Sequence, residues 1–166
     1  MKISVITTLY YSEPYLIEFY SRIKKALSQN SNDNEIIFVN DGSPDGCVQK
    51  VLELQRQDSS IVLIDLSRNF GHHQAIMTGL KHVSGDYIFL IDADLEEDPE
   101  LLLTFFEKIQ EDKTIDVVYG VQNKRKGNFS ERITGTIFYT ILNMLTKIDY
   151  PANTLTARLM KRDYVT

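Results

Sequence analysis

The sequence predicts an α/β domain with a mostly parallel sheet and helices on both faces. Short runs rich in β-branched and aromatic residues alternate with longer segments whose apolar residues recur every three or four positions. This alternation is typical of parallel sheets covered by helices. The predicted strands span residues 3–9, 35–40, 61–66, 86–92 and 115–121, and the predicted helices span residues 13–29, 44–57, 72–83 and 98–112.

The start of the fourth helix and the end of the chain carry separate expectations. Asp98 is predicted to cap that helix and Pro99 to occupy its first position. Glu97 and Asp98 are expected only to favour the helix start through its dipole. Residues 132–148 predict a long amphipathic helix, after which no further hydrophobic element is predicted. We therefore expect one domain, residues 1–166, cut short at its C-terminal end.

Composition excludes several classes of protein. The 166 residues carry a net charge of -5, which argues against a nonspecific nucleic-acid binder. The single cysteine, Cys47, excludes an internal disulfide and a cysteine-based zinc site, and it is expected to pack on its helix. No signal peptide and no apolar run of the roughly 20 residues needed for a membrane span is evident. A cytoplasmic location is expected, and peripheral attachment to the membrane is compatible with it.

Polar residues follow four of the predicted strands. In a parallel α/β sheet, ligands bind at the carboxyl ends of the strands. The stretch 40–46 would by itself be read as an ordinary turn before a helix. Four polar strand ends on one sheet edge instead predict a pocket. The four segments are residues 7–11, 40–46, 67–73 and 92–98.

Asp92 and Asp94 are the strongest chemical signal in the chain. In an extended segment, residues two apart point to the same side. Two carboxylates held this close share either a proton or a cation. Magnesium and manganese commonly bind one or two carboxylates together with the phosphates of a substrate. The pair therefore predicts a site for Mn²⁺ or Mg²⁺ that also holds a diphosphate.

Four segments occur in an order that resembles a known family. They read "IIFVNDGSPDG", "LSRNFGHHQAIMTGL", "GDYIFLIDADLEEDPELL" and "DVVYGVQNKR", at residues 36–46, 66–80, 85–102 and 116–125. Together they resemble glycosyltransferase family 2, particularly its bacterial polyprenyl-phosphate sugar transferases, which are similar to dolichol-phosphate mannose synthase. The resemblance extends from Ile3 to about Val165. It implies a GT-A type nucleotide-diphospho-sugar transferase fold and a single catalytic domain.

The resemblance also implies roles for particular residues. Asp92 would address the ribose and the sugar, and Asp94 would hold the metal with help from Glu96. The nucleotide would be bound by residues after the first three strands, namely Thr8, Tyr10, Asp41 at the base, Ser43 beside Gly42, Arg68 and Gly71. Three of these residues have a structural alternative: Tyr10 as a core aromatic, Ser43 as a helix cap and Arg68 as a partner of Asp65. His72 and His73 are interpreted as surface or packing residues.

The sequence departs from the family pattern in three places. Glu96 stands where close relatives often have glutamine, which adds negative charge. Many relatives have an arginine near Gln122 that is thought to hold phosphate, and here Lys124, Arg125 or Arg132, in the basic segment that also contains Lys126, would take that task. Thr156 stands where relatives have an aspartate proposed as catalytic base. A phosphate acceptor is already ionised and needs no base, so Thr156 favours a lipid phosphate over a saccharide hydroxyl.

The predicted function is an inverting, metal-dependent transfer of a sugar from a nucleotide-diphospho-sugar, with UDP-hexose preferred and GDP-mannose left open. The acceptor would be a polyprenyl phosphate at the inner face of the membrane. A nucleotidyltransferase is disfavoured because residues 7–15 contain no glycine or lysine for a phosphate loop. A non-catalytic nucleotide-sugar-binding module stays open. A flavodoxin-like signalling domain is the weakest alternative, because it would need a lysine on a late strand and residues 115–121 contain none. The oligomeric state is not predicted.

Overall fold

The computed structural model describes residues 1–31, 33–121 and 154–165, which form a six-stranded sheet with helices on both faces. The strands are β1 (Lys2–Leu9), β2 (Asp33–Asn40), β3 (Ile61–Asp65), β4 (Tyr87–Leu90), β5 (Val117–Val121) and β6 (Thr154–Lys161). The helices are α1 (Leu16–Asn30), α2 (Cys47–Gln55), α3 (His72–Leu80), α4 (Leu101–Glu111) and the single turn α5 (Arg162–Val165). The five predicted strands and four of the predicted helices are thus present within these ranges. No helix in these parts of the chain is long and apolar enough to cross a membrane.

The strands lie in the order β3-β2-β1-β4-β6-β5. The first four strands are parallel, and their registers bring Leu9, Asn40 and Asp65 level with one another across β1, β2 and β3. Ile91 extends the pairing of β4 by one residue, because its amide donates to the carbonyl of Ile6 over 3.1 Å. The carboxyl ends of these strands therefore meet at one edge, as the parallel sheet predicts.

The end of the chain contradicts the expectation that no hydrophobic element follows residue 148. Thr154–Lys161 forms β6, which lies between β4 and β5 and is antiparallel to both. Ala157 and Leu159 are fully buried in this strand. The period-two alternation of residues 155–159 could have indicated a strand, but its place inside the sheet depends on two partners that are distant in sequence.

Hydrophobic cores lie on both faces of the sheet, which confirms the predicted layering. The larger core contains residues from α1, α2 and α4, including Phe19, Val51 and Phe105, packed with Val5 of β1. The smaller core contains Ile6 of β1 and residues of α3. Cys47 is buried in the larger core, as expected of a packing residue.

The start of α4 is not built as predicted. The helix begins at Leu101 after Glu100, and neither Asp98 nor Pro99 occupies its predicted position. The Asp98 carboxylate instead lies 2.8 Å from an Nη2 donor of Arg22, and Glu100 accepts from Nε of the same arginine over 3.0 Å. These bonds hold the pKa of Arg22 above its ordinary value. A charged partner on α1 therefore takes the side chain that would otherwise have capped the helix.

Candidate active site

A polar cleft of about 170 Å³ opens at the carboxyl edge of the sheet. Its walls come from the end of β1, from the first residue of α3 and from the segment after β4. The cleft therefore lies where a parallel α/β sheet binds ligands. The lining residues are Thr8, Tyr10, Ser12, His72, Asp92, Ala93 and Asp94.

Asp92 and Asp94 both face this cleft. Buried Ala93 lies between them, and the Asp92 side chain is 27% exposed. Burial raises the pKa of Asp92, and the charge of Asp94 acts in the same direction. His72, a hydrogen bond from Thr156 and the charge of Arg158 oppose that rise. Because burial and a neighbouring carboxylate both disfavour the ionised form of Asp92, a bound cation would be stabilising at this site.

The segment after Asp94 turns sharply. Leu95 has a φ of 61°, which an apolar L-residue rarely adopts, and the amide of Glu96 donates to Oδ1 of Asp94 over 2.9 Å. Strain of this kind persists where the surrounding structure requires it, often at functional sites. The Glu96 side chain is exposed and does not line the cleft.

The residues present fit a divalent metal whose coordination is completed by the substrate. Nowhere in residues 1–31, 33–121 or 154–165 do three His, Cys, Asp or Glu side chains meet as a metal centre of their own. Magnesium and manganese sites often consist of one or two carboxylates plus phosphate oxygens and water. Asp92 and Asp94 would supply the carboxylates in such a set.

His72 lies at the surface, with 43% of its side chain exposed, and it also lines the cleft, which its interpretation as a surface or packing residue did not include. Its Nδ1 lies 3.1 Å from the Thr8 hydroxyl, and its Nε2 lies 3.7 Å from Oδ1 of Asp92. The ring therefore connects the end of β1 with the acidic segment. The signal that could have found it is its position, since the first helical residue after a parallel strand stands at the ligand-binding edge.

Asp41 is buried beside the cleft, with only 3% of its surface exposed. Its Oδ1 accepts the amide of Phe70 over 2.7 Å, and its Oδ2 accepts the amide of Gly71 over 3.0 Å. Because α3 begins at the next residue, His72, this carboxylate fixes the loop that delivers the imidazole. The predicted contact between Asp41 and a nucleobase stays a prediction.

Of the other predicted binding residues that the structure describes, Tyr10 is among the residues that line the cleft, and Ser43 and Arg68 are not. Tyr10 is 49% exposed and lines it, so the alternative of a core aromatic is wrong. Ser43 is not a helix cap, because its hydroxyl accepts the amide of Tyr11 over 2.8 Å and donates to Asp45.

The guanidinium of Arg68 lies 4.2 Å from the ring centre of Phe70. Asp65, the alternative partner of Arg68, accepts from Asn40 over 2.8 Å. Lys124, Arg125, Lys126, Arg132 and the predicted helix 132–148 fall outside the described residues.

Two residues of β6 join the site without having been predicted to do so. The register that pairs Leu90 of β4 with Arg158 of β6 places Thr156 opposite Asp92, and both Thr156 and Arg158 act to lower the pKa of Asp92. Arg158 Nε also donates to the carbonyl of Thr156 over 3.1 Å. Sequence comparison placed Thr156 at the site of a missing base, and its contact with Asp92 required the position of β6.

Asp45 joins the loops after β1 and β2. Its Oδ2 accepts the amide of Glu13 over 2.9 Å, and its Oδ1 accepts from Ser43 Oγ over 2.7 Å and from the Cys47 amide over 3.2 Å. Burial opposes ionisation, but hydrogen bonds from Cys47, Ser43 and Glu13 outweigh it and lower the pKa of Asp45 to about 2. The folded protein therefore stabilises the ionised form of Asp45.

Asp45→Asn should destabilise the protein at neutral pH but much less in acid. The folded pKa lies below the ordinary value of 3.8, so the stabilisation is complete above pH 3.8 and is lost as the pH falls towards 2. We expect the variant to lose about 2 kcal/mol of unfolding free energy at pH 7. Urea unfolding of both proteins at pH 7 and near pH 2 measures this. An equal difference at the two pH values would contradict a role for the Asp45 charge.

The fold and the cleft define a class of protein. A mostly parallel sheet with helices on both faces is the architecture that this chain shares with solved GT-A glycosyltransferases. The chain belongs to glycosyl transferase family 2, because the sequence model of that family matches residues 4–166.

Individual relatives agree with this assignment. The chain is 48% identical over 165 residues to a Mycobacterium tuberculosis protein named among the glycosyltransferases, covering 99% of this chain and 48% of that protein. It is 34% identical to the undecaprenyl-phosphate 4-deoxy-4-formamido-L-arabinose transferase of Salmonella choleraesuis, covering 87% of this chain and 44% of the relative. The chain therefore spans about half the length of these relatives.

A solved structure shares the fold at low sequence identity. Glucosyl-3-phosphoglycerate synthase from Mycobacterium tuberculosis, in complex with Mn²⁺, UDP and glucosyl-3-phosphoglycerate, superimposes with a TM-score of 0.67. The match covers 98% of this chain and 57% of the synthase, with 17% identity. This likeness confirms the predicted GT-A architecture.

Proposed function

We propose that this chain is the catalytic domain of an inverting, metal-dependent glycosyltransferase that moves a hexose from UDP-hexose to a polyprenyl phosphate. The observation that carries the proposal is the placement of Asp92 and Asp94 in one polar cleft at the carboxyl edge of the sheet. Family membership supplies the reaction class, and the cleft supplies the residues that would perform it.

The donor would enter between the end of β1 and the acidic segment. Exposed Tyr10 offers an aromatic surface for the nucleoside, and Thr8 and Ser12 offer hydroxyl groups on the same wall. Asp92, fixed by its neighbours, would accept hydrogen bonds from hydroxyl groups of the donor. Asp41 and Gly71 contribute indirectly, because they hold the loop before His72.

Asp92 and Asp94 would hold Mn²⁺ or Mg²⁺ against the diphosphate. When bound, the metal neutralises charge that develops on the departing nucleoside diphosphate. The mechanistic contribution of the chain is to hold the two carboxylates together in one cleft, oriented towards the donor. The structural relative solved with Mn²⁺ and UDP supports the choice of a divalent metal and a nucleoside diphosphate.

The acceptor proposal depends on Thr156. A threonine in contact with Asp92 cannot deprotonate an incoming hydroxyl group, whereas a phosphate arrives ionised. The relative named as an undecaprenyl-phosphate sugar transferase supports a lipid phosphate. Such an acceptor would place the protein at the inner face of the membrane. Transfer to a saccharide hydroxyl and nucleotide-sugar binding without transfer are the alternatives.

Asp94→Ala should lower the affinity for UDP in the presence of Mn²⁺ by about a hundredfold, because it removes a metal ligand on which diphosphate binding depends. Calorimetric titration of UDP with and without Mn²⁺ measures this. Asp33→Ala is the matched control, since it removes an exposed carboxylate at the opposite end of the sheet.

The possible outcomes separate two questions, namely which nucleotide the site binds and which reaction the domain carries out. Binding of GDP in place of UDP would retain the site and change the base. Equal affinity of the Asp94→Ala and wild-type chains would overturn the metal–diphosphate site. With the donor established, sugar transfer to a short polyprenyl phosphate but not to free saccharides would support the proposed acceptor. Donor binding without transfer to either acceptor would favour the binding module.

A further inference from the structure

Glu97 makes a contact that the predicted helix-start role does not explain. Its Oε1 accepts the amide of Thr156 and its Oε2 accepts the amide of Ala157, each over 2.7 Å. Both carboxylate oxygens are thus committed to the backbone at the start of β6. The partners lie about sixty positions further along the chain, so the contact joins the acidic segment to a different part of the sheet.

The placement of this carboxylate is costly. Burial raises the pKa of Glu97, and the nearby charges of Asp92 and Asp94 act in the same direction, against the two backbone hydrogen bonds. An exposed glutamate at this position would avoid both penalties. Uncompensated like charges at one site are destabilising, so a carboxylate here is unfavourable in itself. The contact therefore indicates that the position of β6 relative to the acidic segment matters.

The start of β6, which Glu97 holds, connects to the proposed donor site through Thr156. The backbone of this residue donates to Glu97, and the antiparallel register that pairs Leu90 with Arg158 continues to place Thr156 opposite Asp92, whose pKa the threonine lowers. Ala157, the second backbone donor, is buried in the core and anchors the strand from the other face. A shift of this strand end would carry the threonine hydroxyl away from Asp92.

We propose that Glu97 is a positioning residue of the donor site, which holds the start of β6 so that the Thr156 hydroxyl orients the Asp92 carboxylate. The inference rests on the proposed function, because it assigns Asp92 to donor binding. It also gives Thr156 a role other than that of a lost base. Glu97 acts through Thr156 and makes no contact with substrate in this arrangement.

Glu97→Gln tests the clamp without any ligand. An amide offers one acceptor and turns an N–H₂ group towards the other backbone donor, so one bond is lost. Amide hydrogen exchange of Thr156 and Ala157, read by NMR, should become at least tenfold faster. Glu107→Gln is the matched control, since it makes the same change of charge on an exposed part of α4. Unchanged exchange in Glu97→Gln would overturn the clamp.

A double-mutant cycle tests the coupling to the donor site. Thr156→Val keeps the shape of the side chain and removes its hydroxyl. Glu97→Gln and Thr156→Val should each weaken binding of UDP with Mn²⁺ about tenfold, the scale of a hydrogen bond to a charged group. The double variant should bind no more weakly than Glu97→Gln alone, because both changes break one chain of contacts.

Additive losses, or unchanged affinity in either single variant, would overturn the proposed coupling. Urea unfolding of all four proteins separates a local effect from general destabilisation, which would not reproduce the nonadditive affinities. Should the wild-type chain bind neither UDP nor GDP, the proposed function fails, whereas the exchange experiment still decides whether the clamp exists.

Discussion

Gly42→Ala is expected to lower the free energy of unfolding by about 3 kcal/mol, within the range for overpacking and backbone strain. Gly42 has a φ of 62°, and an added Cβ would lie 2.4 Å from both the carbonyl carbon of Arg68 and the amide nitrogen of Asn69. These are backbone atoms of the loop that leads to His72, so they can yield only if the loop moves. We therefore expect weaker binding of UDP with Mn²⁺ as well.

Gly46→Ala is the matched control for this substitution. A Cβ at Gly46 would also meet a close neighbour, at 2.7 Å, but that neighbour is the flexible end of the Glu13 side chain. We expect a loss of about 1 kcal/mol or less, since a side chain can rotate away. Urea unfolding and calorimetry of both variants make the comparison. Similar stabilities for the two variants would contradict the close backbone approach at Gly42.

Asp41→Asn is expected to cost about 2 to 3 kcal/mol of unfolding free energy, because it leaves a partly buried backbone donor beside a buried side chain without its acceptor. The wild-type carboxylate accepts one amide on each oxygen, and an asparagine side chain replaces one of those acceptors with a donor. The amide of Phe70 or of Gly71 would then face an N–H₂ group. The loop before α3 should loosen and carry His72 away from Thr8.

Asp65→Asn is the control for the change of charge. Asp65 ends the neighbouring strand and accepts one hydrogen bond from Asn40, which an asparagine oxygen can still accept. Denaturant unfolding should show little loss for this variant. Amide exchange at Phe70 and Gly71 should increase only in Asp41→Asn. A stable Asp41→Asn protein with protected amides at both positions would contradict the buried role of the carboxylate.

Measuring both the stability and the nucleotide affinity of Asp41→Asn also tests the predicted contact between Asp41 and a nucleobase. A purely structural role predicts that binding falls in proportion to the loosening of the loop. A direct contact predicts a change in the preference between UDP and GDP as well. Measuring both nucleotides with Asp41→Asn therefore tests the family-based assignment independently of the fold.

The local pattern of the sequence determined the elements and the main chemical site. Strands and helices were predictable because the spacing of their apolar residues reports which side of each element is buried. Asp92 and Asp94 were predictable as a pair because a spacing of two residues after a buried strand places both on one side. Family membership was visible because four separate segments occur in the right order.

Tertiary structure alone decided how the carboxylates are held. The insertion of β6 between β4 and β5 brings Thr156 to Asp92, and the loop fixed by Asp41 brings His72 to the same residue. Glu97 and Asp98 were predicted to serve a helix start, and both instead bind distant partners. Local pattern cannot reveal such pairings, because the free energy of a hydrogen bond or ion pair depends on which donors the fold brings within reach.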